Sequence, residues 1–337
     1  MKLLVTGGAG YIGSIVAQQL LDSGHEVTIL DDLSRGHREA VPEGADLAAV
    51  DLLDAPAVRE TLDDGFDGVL HFASLALVAE SVAHPERYHR VNHVGALNLL
   101  DAMRDAGVRR LVFSSTCAVY GEPETVPMRE DIPTAPVNAY GNSKLAIDRM
   151  IADETRAHGL AAASLRYFNV AGASGHLGED HDPETHLIPL VLRAAAGKAD
   201  HVKVFGTDYP TRDGTAVRDY IHVEDLGRAH IMALAAAEPG RHAIYNLGTG
   251  DGSTVREVID AARRVTGREI EVREEARRPG DPPALVAASD RIHDELGWVP
   301  EKGLDDMIGD AWAWHQAHPD GYPDSAASAS ASTASGG

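Results

Sequence analysis

The sequence predicts an α/β fold, a doubly wound parallel sheet followed by a smaller mixed α/β segment, and three observations carry that reading. Lys2, Leu3, Leu4 and Val5 form a short, mostly apolar run without alternation, as a strand buried on both faces requires. The run feeds Gly7-Gly8-Ala9-Gly10-Tyr11-Ile12-Gly13, after which residues 15–21 have the apolar spacing of a helix. From residue 1 to about 168, strand-like and helix-like stretches then alternate with short connections, which implies parallel crossovers.

Gly7, Gly10 and Gly13 fall at a strand-to-helix turn with the spacing G-x-x-G-x-x-G. Such a turn presents backbone N–H groups and the positive end of a helix dipole, and its glycines let a pyrophosphate approach the backbone. Asp31 closes the second predicted strand (27–31), eighteen residues after Gly13. A carboxylate there accepts hydrogen bonds from an adenosine ribose and repels a 2′-phosphate; Arg35 and Arg38 are the nearby cations that could reverse this. The expectation is a Rossmann-type sheet that binds NAD rather than NADP.

The chain has 337 residues and a net charge of −22, which argues against nucleic acid or an anionic membrane as partner. Its one cysteine, Cys117, excludes an internal disulfide and a cysteine zinc cage, and points to a reducing compartment. No apolar run approaches a membrane span and the first residues enter a strand directly, so the expected location is cytoplasmic. Residues 325–337, SAASASASTASGG, have nothing to bury and are expected to be disordered.

Ligands on doubly wound sheets bind beyond the carboxyl ends of the strands. The ends of the remaining predicted strands (47–51, 68–72, 110–115 and 161–166) therefore matter most. Asp51 suits an adenine amine, the small residues of His71-Phe72-Ala73-Ser74 admit a cofactor, and Thr116 offers a hydroxyl. Asn92 stands polar among apolar neighbours in a helix predicted at 86–106; the pattern fits a cofactor contact and a backbone-bonded Asn equally well. In the helix predicted at 139–158, Tyr140 and Lys144 lie four residues apart on one face. An ammonium beside a phenol favours the phenolate and brings a pKa of ~10 down towards that of a usable general base. Beyond residue 170 the alternation loosens, with helices predicted at 186–196, 224–237, 254–266 and 304–315 and strands at 202–205 and 245–248.

TGGAGYIG at 6–13, SST at 114–116, YGNSK at 140–144 and RYFN at 166–169 resemble the extended short-chain dehydrogenase/reductases. FGTDYPT at 205–211, VRDYIHV at 217–223 and HPDGY at 318–322 narrow the resemblance to the UDP-glucose 4-epimerase branch, over residues 1 to about 324. The resemblance implies an NAD-binding Rossmann domain (1–170, rejoined by a segment near 219–248), a UDP-sugar-binding domain (171–324), and a homodimer paired through helices around 86–106 and 142–158. It implies that Gly7, Gly10, Tyr11, Ile12, Gly13, Asp31, Asp32, Leu33, Ser34, Asp51, Leu52, Phe72, Ala73, Ser74, Asn92, Tyr140, Lys144 and Phe168 face NAD. Thr116, Tyr140, Asn169, His186, Leu187, Phe205, Arg218, Arg278, Asp281 and Leu285 are implied to face a UDP-hexose.

The implied chemistry interconverts UDP-glucose and UDP-galactose through a 4-keto sugar. Tyr140 as phenolate takes the 4-hydroxyl proton while hydride leaves C4 for NAD; Lys144 lowers the phenol pKa and Thr116 bonds O4. Arg218 and Arg278 grip the diphosphate, Phe205 lies beside the uracil, and Leu285 stands where a large Tyr excludes 2-acetamido sugars. A UDP-pentose or UDP-uronate 4-epimerase shares these residues. A 4,6-dehydratase needs an Asp-Glu pair after the Thr, where this chain has Cys117-Ala118, and a non-catalytic NAD sensor would have lost the Tyr–Lys pair. One departure is Ala76, where the branch commonly has Lys, which predicts weaker cofactor retention. His176, Glu179, Asp180, His181, Asp182 and His186 look metal-like. No pair has the helical spacing of a zinc site, and Gly178 and Pro183 break a helix, so a polar loop without metal is expected there.

Overall fold

The computed structural model describes residues 1–278 and 280–323; the tail expected to be disordered at 325–337 lies outside the described residues. The first half of the chain supplies strands β1 (Lys2–Thr6), β2 (Glu26–Leu30), β3 (Asp46–Ala48), β4 (Gly68–His71), β5 (Arg110–Thr116) and β6 (Ala161–Tyr167). Between them run helices α1 (Tyr11–Asp22), α2 (Ala55–Leu62), α3 (Val78–Ala83), α4 (Pro85–Tyr88), α5 (Gly95–Asp105) and α6 (Ala139–His158). Four short strands follow, β7 (Asn169–Ala171), β8 (Val202–Phe205), β9 (Val217–Arg218) and β10 (Tyr220–His222), with α7 (Leu187–Ala195) among them. Helix α8 (Val223–Ala235) and strand β11 (His242–Leu247) then return to the large sheet, where β11 pairs in parallel with β6.

The large sheet has seven parallel strands in the order β11-β6-β5-β4-β1-β2-β3. Alternation along β1 divides its side chains between two layers. Leu3 and Val5 join Val16 and Leu20 of α1 and Leu226 and Ala229 of α8 on one face. Leu4 joins Val58 and Leu62 of α2, Leu99 and Met103 of α5, and Ile147 and Ile151 of α6 on the other. Helices on both faces make the sheet doubly wound, as predicted, and the order reverses between β1 and β4, where such folds place their ligands.

The remaining elements are β12 (Ser253–Thr254), α9 (Val255–Thr266), β13 (Val272–Glu275), β14 (Ala284–Leu285), α10 (Asp290–Leu296) and α11 (Leu304–Ala317). Thr254 and Glu257 form a reciprocal capping box at the start of α9. Helices α7, α9 and α11 close a separate core over β8. β9 lies between β12 and β14, with Leu285 opposite Arg218.

Two expectations need correction. The helix predicted at 86–106 is not one α-helix: α4 and α5 are joined by a π-helical segment, His89–Val94. The wider turn lets Asn92 point inward, where its Oδ1 accepts from the Leu75 backbone N–H at 2.8 Å and its Nδ2 donates to Leu75 O at 3.0 Å and Ser143 Oγ at 3.1 Å. The strand predicted at 47–51 ends at Ala48. Asp51 lies in the turn beyond it and accepts from the Leu53 N–H, a local bond that favours turn over strand.

The glycine turn is fixed by sterics. A Cβ on Gly7, at φ +72°, would lie 2.4 Å from Ala73 N, and one on Gly13 would lie 2.2 Å from Gly7 O. The nearest atom to a Cβ on Gly10 is Gly7 O at 3.4 Å, so the protein itself leaves room there. Gly7→Ala is therefore expected to cost about 2–4 kcal/mol in urea unfolding, from left-handed strain plus overpacking, and Gly10→Ala less than about 1 kcal/mol. Equal losses would contradict this assignment.

Candidate active site

The crevice between β1 and β4 is built from backbone. Asp31, buried at the end of β2, accepts from the Ala9 N–H at 3.0 Å and the Leu33 N–H at 2.9 Å. Burial pushes its carboxyl above the ordinary range, against the pull of those two N–H groups. Leu33 has φ +59°, the one non-glycine in the left-handed region among the described residues, and Asp32 accepts from the N–H and hydroxyl of Ser34. Strain of this kind is tolerated where a segment is held for a ligand. Ala73 N donates to Thr6 O at 3.1 Å. The Phe72 ring turns into the core against His230, 4.7 Å between centroids, so only its backbone borders the turn. Tyr11 donates to Gly172 O at 2.6 Å, tying the turn to the second half of the chain. Leu52 is buried in the α2–α5 layer, Ile12 packs against the α1–α8 layer, and Phe168 packs against Val119, Tyr120, Met128 and Leu145. Ser74 follows Ala73 in the loop after β4.

Thr116 ends β5 and caps the short turn Cys117–Val119, with Oγ1 accepting from the Ala118 N–H at 3.2 Å. Asn138 caps α6 through the Gly141 N–H at 2.8 Å, which fixes where the first helical turn puts Tyr140. The Tyr140 phenol lies close enough to Thr116 for that side chain to pull its pKa down. Lys144 is 1% exposed, donates to Ser114 O at 2.8 Å, and lies 4.9 Å from the Phe113 ring centre and 6.0 Å from that of Tyr140. The three predicted catalytic side chains thus meet at the end of β5.

Their charges differ from the sequence argument. Burial pushes the Tyr140 phenol up to about 12, with Thr116 opposing, and pulls the Lys144 ammonium down to about 7, with Asp148 opposing. In the protein alone desolvation wins at both groups, and the ammonium does not deliver the phenolate that helical spacing predicted. The sequence reading also missed the buried charged network next to the pair. Asp148, one turn after Lys144, accepts from Arg166 Nη2 at 2.8 Å and Nε at 3.1 Å. Arg166 Nη1 donates to Tyr120 OH at 3.0 Å, which donates to Asn246 Oδ1 at 2.7 Å. An acid four residues beyond the lysine was the available signal.

Five predicted UDP-sugar residues gather on β8, β9, β14 and the loop before β14. The Arg278 guanidinium lies 3.9 Å from the Phe205 ring centre, Arg218 is ion-paired with Asp281, and Leu285 is paired with Arg218. Arg277 turns away to Asp208 and the Tyr209 ring. Asp219, unassigned from the sequence, organises this region: its carboxylate accepts from Thr249 N and Oγ1 at 2.8 Å and from Gly250 N and Ala287 N at 3.0 Å. Asn169 donates to Asp219 O at 2.8 Å. Leu187 packs on the α7–α9–α11 core. His186 precedes α7, but its Nδ1 lies 2.8 Å from Glu179 Oε1 and 3.1 Å from Glu184 Oε1, so two carboxylates engage its imidazole.

The sequence profile described as "NAD dependent epimerase/dehydratase family" matches residues 3–248. The UDP-glucose 4-epimerase of Corynebacterium glutamicum is 55% identical over 319 residues, 94% of this chain and 96% of that protein. A crystal structure of a UDP-glucose 4-epimerase superposes with a TM-score of 0.93 at 44% identity, covering 96% of this chain and 99% of the other. That of the Bifidobacterium longum UDP-glucose 4-epimerase, in complex with NAD⁺ and UDP, gives 0.90 at 36% identity, covering 96% and 100%.

The depressed Lys144 has a consequence for stability. The folded protein sheds this proton above about 7, while an unfolded chain keeps it to about 10.4, so unfolding takes up a proton in that window and stability rises with pH. Wild type is expected to gain on Lys144→Met as pH rises from about 7 towards 10 in denaturant titrations of the NAD-free protein. A difference independent of pH would contradict this.

Proposed function

This chain belongs to the NAD-dependent epimerase/dehydratase family and within it to the UDP-glucose 4-epimerases, and we propose that Tyr140, Lys144 and Thr116 carry the proton side of its reaction. The reading rests on the Thr116–Tyr140–Lys144 constellation at the end of β5. The enzyme is an NAD-dependent isomerase that interconverts UDP-glucose and UDP-galactose. NAD, when bound, supplies the hydride acceptor and a positively charged ring.

Tyr140 takes the proton of the sugar 4-hydroxyl and later returns it, and Thr116, beside the phenol, holds the same oxygen. Lys144, when protonated, stabilises the phenolate. Between the two transfers the 4-keto sugar must present its other face. Arg218, Arg278 and Phe205 therefore hold the nucleotide while the hexose turns, with the guanidinium groups on the diphosphate. Asp31 receives the adenosine ribose, with Asp32, Leu33 and Ser34 beside it. Asn92 acts through Leu75 rather than by donating to the cofactor, because both Nδ2 hydrogens are engaged. Residues 1–170, with the return near 219–248, form the NAD-binding part, and 171–324 the UDP-sugar part.

A homodimer paired through the helices around 86–106 and 142–158 fits the apolar side chains exposed along the first of them, Val94 at 44% and Leu97 at 43%. Among the described residues no helix is long and apolar enough to cross a membrane; a reducing, cytoplasmic setting suits the free Cys117. Sedimentation at micromolar concentration is expected to give a dimer, and a monomer would refute the pairing.

Tyr140→Phe is expected to keep its fold and bound NAD and to lose about 10²–10⁴ in kcat; a variant within about threefold of wild type would overturn the assignment. Leu285 leaves more room than an aromatic side chain, so UDP-N-acetylglucosamine is expected as a secondary substrate. Leu285→Tyr is expected to lower its kcat/KM relative to UDP-glucose by about 5- to 150-fold, the rate equivalent of about 1–3 kcal/mol of overpacking. An unchanged ratio would show that Leu285 is not the gate.

A further inference from the structure

Residues 176–186 form a loop pressed between the glycine turn and the C-terminal segment. Trp314 Nε1 donates to His176 O at 3.0 Å, Tyr322 N donates to Asp180 Oδ2 at 2.9 Å, and Arg35 Nη1 donates to Asp182 O at 2.6 Å. Within the loop Glu179, His181, Glu184 and His186 turn towards one point. Each offers one ligand atom, and the four atoms lie within 4.8 Å of one another. The absence of helical ligand spacing does not bear on this group, because the loop, not a helix, brings it together; Glu184 was not among the residues singled out from the sequence.

We propose that Glu179, His181, Glu184 and His186 form a structural site for a divalent transition-metal ion of the zinc class. Zinc–nitrogen and zinc–oxygen bonds of about 2.0–2.2 Å in a tetrahedron put neighbouring ligand atoms about 3.4 Å apart. The separations here scatter around that value. His186 Nδ1 lies 2.8 Å from Glu179 Oε1 and 3.1 Å from Glu184 Oε1; His181 Nδ1 lies 3.1 Å from Glu179 Oε1 and 3.9 Å from Glu184 Oε2. Two imidazoles and two carboxylates suit zinc better than calcium or magnesium, which favour all-oxygen shells.

Burial and charge favour the same occupant. The Glu184 side chain is 1% exposed and Glu179 7%; among the described residues no lysine or arginine pairs with either, their partners being the two imidazoles and, for Glu184 Oε1, the Thr185 and His186 N–H groups at 2.6 and 2.7 Å. A dication with two neutral imidazoles and two carboxylates is neutral as a group, which removes the penalty for burying both acids. The imidazoles are 34% and 46% exposed, leaving an ion a way in. A second group, His222, Glu224 and Asp310, shows the contrast: the Lys302 ammonium fills it, 2.6 Å from Glu224 Oε2 and 2.7 Å from Asp310 Oδ2.

Such an ion would fasten two parts of the enzyme. The Tyr11 ring, inside the glycine turn, stands edge-on to His181 at 6.4 Å, and His186 leads directly into α7. The bound metal thereby stiffens the junction between the NAD-binding turn and the segment entering the sugar side.

The test uses the full chain, stripped with a chelator and returned to zinc chloride in calorimetry and in thermal melts, with His181→Asn alongside. One equivalent of zinc per chain is expected, with Tm raised by about 5 °C at a hundredfold excess over the dissociation constant. His181→Asn is expected to bind at least about a hundredfold more weakly. Cobalt added to the unmodified stripped chain is expected to give the intense visible bands of a tetrahedral site, a reading that needs no variant to fold. No stoichiometric zinc binding, unchanged binding in a folded His181→Asn, or a weak octahedral cobalt spectrum would each overturn the proposal.

Discussion

Tyr140 and Lys144 share one face of α6 in a place with little water, and much of the surrounding structure serves to hold two ionisable groups where neither is comfortably charged. The Ser114 carbonyl takes the Lys144 amine, Thr116 lies beside the Tyr140 phenol, and Asp148 sits one turn away, paired to the buried Arg166. The Asn138 cap fixes the start of the helix and the π turn brings Asn92 to Ser143 from the opposite side. Loosening any of these would admit water and weaken the electrostatic effects on which the pair depends.

The same economy governs the crevice next to it. Gly7 lies so close to the Ala73 backbone that β1 and β4 meet there without side chains, leaving N–H groups as the chemistry of the turn. Asp31 then acts twice, bracing Ala9 and Leu33 while ending the strand where a ribose is expected. On the other side of the site, Asp219 ties the end of β9, next to Arg218, to Thr249 and Gly250 and to Ala287 just beyond Leu285 by accepting four hydrogen bonds.

Most of this was legible in the sequence where one residue type has one physical use. Glycines at 7 and 13, the apolar run of β1 and the Tyr–Lys spacing led to the sheet, the turn and the helix that the structure contains. Less legible were features set by contacts distant in sequence. Asn92 needed Leu75 and Ser143, 17 and 51 positions away, to explain its π turn. Arg166 meets Asp148 across eighteen positions, and Glu179 reaches the His186 ring across seven. The balance of desolvation against charge at Tyr140 was least legible, because helical spacing reports proximity but not burial.

The central claim is that Tyr140 is held as a neutral phenol by burial and becomes a usable base only with a positive charge nearby. A unit charge about 5 Å from the phenol, at an effective dielectric of ~20, is worth about 3 kcal/mol, or about 2 pKa units. The direct measurement is the tyrosinate absorbance of wild type minus that of Tyr140→Phe, titrated without NAD⁺ and with NAD⁺ at saturation. The account predicts a midpoint near about 12 without the cofactor and one lower by about two units or more with it. A midpoint already near 7 in the NAD-free protein, or one that NAD⁺ leaves unmoved, would contradict it.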